Sequence, residues 1–205
     1  MHHDSTRAYS APSAGRAVSA YAWFKLCVIA LLACNAVLFV LAGTANEALD
    51  SAAWFALLVL FELESAFALR FRHAHATAVI RALRLAAALA IGLAAVGYLR
   101  DREWLDATNA WLWIAVVALL ELEVRRPRSA AAHRPAFVLT AAALYGGLAA
   151  VAAAWAWRGE WFDAYDALLW LVAFVTLELD VLGRAKAAAR VQPSGESTAE
   201  FGDKV

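Results

Sequence analysis

Three pairs of carboxylates stand where long apolar runs end: Glu62 with Glu64, Glu121 with Glu123, and Glu178 with Asp180. A carboxylate in the last turn of a helix faces the negative end of the helix dipole and loses solvation on burial. Each therefore needs a compensating positive charge, which arginine, a bound cation or a shared proton can supply. Glu121 with Arg125 and Asp180 with Arg184 have the favourable acid-first spacing of four. Glu62, Glu64 and Glu178 have no basic residue three or four positions on. One reading is structural salt bridges, with Arg81, Arg84 or Arg134 reaching across from other helices. The sharper one is an inner ring of Glu62, Glu121 and Glu178 that holds a cation or shares protons.

The first acids of the pairs lie 59 and 57 residues apart, and other residues repeat with them. Fifteen positions upstream stand Glu47, Asp106 and Asp163; twelve upstream, Asp50, Asn109 and Asp166; eight upstream, Trp54, Trp113 and Trp170. At about 100° per residue these share one broad helix face with the first inner acid, whereas Glu64, Glu123 and Asp180 point away, toward arginine or headgroups. Asp50, Asn109 and Asp166 read as helix caps. Glu47, Asp106 and Asp163 read as outer-loop acids or as a cation-attracting mouth. The tryptophans read as packing or as a hydrophobic constriction on an axis.

The elements that position these residues are membrane spans. The 205 residues are 63% hydrophobic and 18% charged, with mean hydropathy +0.60, far from ordinary soluble composition. Apolar runs predict six transmembrane helices. They form three tandem helical-hairpin repeats, 25–72, 84–128 and 135–184, between flexible cytoplasmic tails 1–24 and 185–205. The expected fold is an all-α membrane protein, a pseudo-threefold bundle whose even helices face the axis, since the odd ones hold no charge. Fifteen of the 18 Lys and Arg fall on one side, and only Arg100, Arg102 and Arg158 on the other. The positive-inside rule then puts both termini in the cytoplasm, as in a bacterial inner membrane. The basic stretch 70–84 could touch anionic headgroups.

Other chemistries find little support. His2, His3, His73, His75 and His133 all lie in tails or loops, so axial haem ligation within the bundle has no ligand. No phosphate-binding glycine loop and no nucleophile with a nearby base is visible. Cys27 and Cys34, seven apart on one helix and so about 10 Å from each other, cannot form a disulfide. Neither an enzyme, a cofactor nor a nucleic-acid partner is expected. The expected partners are the lipid bilayer and a monovalent or divalent cation or protons, with room for a homo-oligomer or a membrane-protein partner. The sequence thus points to binding or conduction of a cation along a carboxylate-lined axis. The alternative is a non-transporting scaffold or subunit whose acids only lock helix ends.

Overall fold

A computed structural model describes residues 14–67 and 74–191, with side-chain surroundings for 20–64 and 77–176. The described chain is all-α, with α1 Ala14–Ala42, α2 Ala45–Phe67, α3 Ala74–Asp101, α4 Trp104–Arg125, α5 Pro127–Ala132, α6 Arg134–Arg158 and α7 Trp161–Val191. Helices start earlier and stop later than the hydropathy pattern predicts. α1 already begins at Ala14, α3 at Ala74 and the last helix continues to Val191, because Ala-rich flanks extend a helix past its apolar segment. The short α5 is also new. Pro135 starts α6 as anticipated, in the first turn where its missing N–H costs nothing.

Four helices are long and apolar enough to cross a membrane: Ala20–Ala42, Thr77–Asp101, Trp104–Arg125 and Arg134–Arg158. These are the features of an integral membrane protein. α2 and α7, at 23 and 31 residues, match them in length but carry more acids. Large apolar side chains cover the bundle exterior, including Leu41, Leu93 and Leu139, as suits contact with lipid rather than water. Trp104, Trp157 and Trp161 are also exposed, at the helix ends near the hairpin turns, where amphipathic rings favour an interface.

Packing follows chain order around a circuit. α1 lies on α2, α2 on α3, α3 on α4, α4 on α6, α6 on α7, and α7 returns to α1. Small residues permit the close approach of α3 and α4, where Ala94, Ala95, Ala107 and Ala110 are almost fully buried. Two of the tight turns are built alike. Glu103 N–H donates to the Tyr98 carbonyl and Arg102 N–H to that of Leu99; Glu160 N–H donates to Trp155 and Gly159 N–H to Ala156. Both are Schellman closures, with Arg102 and Gly159 left-handed at φ 63° and 82°. Thr44 and Glu47 instead form a capping box at the start of α2: Glu47 N–H donates to Thr44 Oγ1, and Thr44 N–H to Glu47 Oε2 at 2.6 Å.

Asn46 in the first turn of α2 donates to Asp101 Oδ2 on α3 at 2.7 Å. That contact requires glycine opposite, because a Cβ on Gly97 would run into the Asn46 amide, whereas one on Gly92 would meet nothing. Thermal unfolding in detergent should separate the two sites. Gly97→Ala is expected to destabilise by about 1–2 kcal/mol through overpacking. Gly92→Ala is expected to be neutral or to stabilise by up to about 1 kcal/mol through helix propensity.

Candidate functional site

At the hairpin-turn end the helices enclose a cavity of about 60 Å³. Glu47, Asp106 and Asp163 line its mouth, each in the first turn of its helix. Asp50, Asn109 and Asp166 lie one turn deeper, and Trp54, Trp113 and Trp170 form the floor. Nine residues that the sequence spaces far apart are thus brought to one place, five of them carboxylates, and among the described residues no basic side chain lines the cavity with them.

Asp50, Asn109 and Asp166 are not caps. α2, α4 and α7 begin at Ala45, Trp104 and Trp161, so these residues sit five positions further along, inside the helices. The cap and first-turn roles belong to Thr44 and Glu103 and to the Glu47, Asp106 and Asp163 column. The correction matters because it removes the ordinary reason for an acid at the deeper level. Each of these residues stands four positions before a tryptophan, one turn of helix on the same face. Trp54 hydrogen-bonds Asp50 and Trp170 hydrogen-bonds Asp166. Asn35 of α1 donates a further bond of 2.7 Å to Asp166. Asp50 Oδ1 and Asn109 Oδ1 remain buried without a hydrogen-bond partner among the described residues.

The floor is a contiguous aromatic cluster. Trp54 lies 6.2 Å from both Trp113 and Trp170, the rings tilted by about 60°. Phe174, one turn below Trp170, packs against Trp113 at 4.5 Å and against Trp54 and Trp170 at 6.4 Å. Offset and edge contacts of this kind contribute about 0.5–1.5 kcal/mol per pair beyond simple burial. The three tryptophans are buried, unlike the exposed ones near the turns.

Of the inner acids whose side chains are described, none lines the cavity. Glu62 meets Lys25 of α1 at 2.9 Å, and Glu64 meets Arg84 of α3 at 2.7 Å. Glu121 is exposed and paired with Arg125, and Glu123 is exposed. The side chains of Glu178 and Asp180 lie outside the described residues. Among the described residues, no group of three or more His, Cys, Asp or Glu is placed to hold a metal ion.

Two sets of lining residues escape the sequence analysis. Phe39, Tyr98 and Trp155, from α1, α3 and α6, complete the cavity wall. They stand 59 and 57 residues apart, the same register as the acids, with aromatic character the only thing in common. Extending the register into the odd helices would have found them. Ser51 and Ala167 also line it, again in one register with Ala110 between them. Every lining residue therefore falls in one of five columns with the 59 and 57 spacing. Phe174 is different, since Leu58 and Val117 hold the corresponding positions, and no repeat signal announces it.

The floor should limit access from the mouth. With Cys27 and Cys34 replaced by serine, Ser51→Cys is expected to react with a charged, membrane-impermeant thiol reagent. Ala173→Cys, buried among the aromatics, is expected to stay unmodified. A second measurement concerns Glu103, between α3 and α4. Desolvation first, then the Glu47 and Asp101 carboxylates, raise its pKa above the ordinary glutamate range. An acid whose folded pKa is raised loses stability as pH climbs from its unfolded value toward the folded one. The Tm difference between Glu103→Gln and the parent protein should accordingly move in favour of the variant as pH rises from about 4 to 7. Comparisons of the chain with protein-family models, with curated proteins and with solved structures find no match.

Proposed function

We propose that this chain is a six-span membrane protein of three tandem hairpins about a pseudo-threefold axis, and that its acidic cavity takes up a cation or protons for passage along that axis. The observation that carries the reading is the register: every residue lining the cavity belongs to a column that recurs at 59 and 57 residues. Three copies of one motif facing a common cavity are what threefold repetition about an axis would produce. α2 and α7 reach spanning length, and their acids near the turns, Glu47, Asp50, Asp163 and Asp166, face an interior cavity, where intramembrane charge is tolerated. In this arrangement the turn end, with Arg100, Arg102 and Arg158 as its basic residues, faces away from the cytoplasm, and a bacterial inner membrane suits that topology.

Mechanistically, the mouth concentrates cations. Two unit charges about 8 Å apart repel by about 2 kcal/mol at an effective dielectric near 20, so gathered carboxylates favour any entering positive charge. Passage further inward requires the aromatic floor to open or a proton to be relayed around it. Beyond the floor an entering cation would compete with Lys25 for Glu62, an acid that the chain already compensates. This shifts the weight of the proposal from the inner carboxylates to the outer acidic layer.

The scaffold reading retains one specific support. Lys25 with Glu62 clips α1 to α2 and Arg84 with Glu64 clips α3 to α2, with no ligand needed, while Arg125 pairs with Glu121 within α4. Flux measured in proteoliposomes decides between the two. The parent protein should pass protons or alkali cations, Asp50→Asn with Asp166→Asn should lower that flux at least about tenfold, and Phe174→Ala should raise it through a weakened floor. Absence of flux in the parent, or flux indifferent to the double substitution, rejects conduction and leaves the scaffold. Under the scaffold reading Glu62→Gln destabilises the fold by removing the ion pair between α1 and α2, seen as a lower Tm in detergent.

A further inference from the structure

We infer that the cavity recognises a small organic ammonium ion rather than a bare metal cation, an inference that rests on the cation-binding reading above. A metal cation stripped of water needs about six oxygen ligands around it. No group of three acids is close enough for that among the described residues, so a metal ion could reside here only with most of its water. The cavity wall offers something else. Phe39, Tyr98 and Trp155 stand around it above a floor of three indoles, in which Trp54 is inclined by about 60° to each of the other two. Inclined rings form a cup that presents π surface and edges from several directions, where parallel stacking would hide the faces. An ammonium with alkyl substituents is attracted to such faces and sheds its weakly held water readily.

The acids give that cup its sign. Asp50 Oδ1 and Asn109 Oδ1 are buried acceptors with no donor among the described residues, each one helical turn from an indole of the floor. An N–H or a polarised N–CH₃ group of the ligand supplies what they lack, and no basic residue of the wall competes. Size agrees as well. One water needs about 10–15 Å³ of such space, so about 60 Å³ holds roughly four to six, a range that includes the five heavy atoms of tetramethylammonium.

Tetramethylammonium is the probe, titrated into the purified full-length protein in detergent at constant ionic strength, with intrinsic tryptophan fluorescence and calorimetry as readouts. Saturable binding is expected, with potassium and sodium at equal concentration producing no comparable response. Trp155→Leu should weaken binding about tenfold, and Trp155→Phe should retain most of it because a π face remains. Asp50→Asn should also weaken it, while circular dichroism and elution volume remain those of the parent. Equal affinity for tetramethylammonium and potassium, or equal loss in the Leu and Phe variants, overturns the inference. If protons or alkali cations pass in proteoliposomes while tetramethylammonium fails to bind, the ammonium inference alone falls. If neither binding nor flux is found, both readings fall together.

Discussion

A carboxylate in a low-dielectric interior must be compensated within the protein, because hydrocarbon offers neither water nor counterions. Much of this molecule can be understood as a set of answers to that requirement. Toward the basic end the answers are covalently built in: Lys25, Arg84 and Arg125 bring ammonium or guanidinium groups to Glu62, Glu64 and Glu121. Near the turns the answers are partial. Glu47 closes a capping box, Asp166 accepts from Asn35, and Asp50 is bonded by Trp54, yet no basic side chain among the described residues lines the cavity. The difference between the two ends is what sets the cavity end apart.

The aromatic layer separates the two regimes. Trp54, Trp113 and Trp170 each follow their Asp or Asn by one helical turn, so the same three helices that present polar groups to the cavity also close it. Phe174 fills the space beneath them and comes from α7 alone. A cluster of this bulk is also the centre of the hydrophobic core, packed with Leu32, Leu58, Val116 and Leu148. Stability and closure therefore depend on the same side chains.

Much of the site was legible in the chain, for a definite reason. Residues at fixed offsets on one helix share a face whatever surrounds the helix, so the acids at 47, 106 and 163 and the tryptophans at 54, 113 and 170 could be grouped by spacing alone. Helix boundaries were less legible. The deeper Asp and Asn column passed for caps because residue type suggests a helix start, while the true starts lie five residues earlier, set by Thr44 and by two Schellman turns that end in Glu103 and Glu160. The wall residues Phe39, Tyr98 and Trp155 hid for another reason: apolar helices bear aromatic residues on many faces, and only the partner helices determine which face turns inward.

The sequence by itself determined the class of the molecule, a helical membrane protein, through its apolar runs, and it determined which residues travel together through their 59 and 57 spacing. Those properties are local or periodic, and need no knowledge of neighbours. Only the tertiary structure decided that α7 packs back on α1, that Lys25 finds Glu62, and that the acids near the turns gather around a cavity with no basic side chain among its described lining. The physical reason is that charge compensation acts between helices distant in sequence. Whether a buried acid is a clasp or a binding group depends on what stands opposite it.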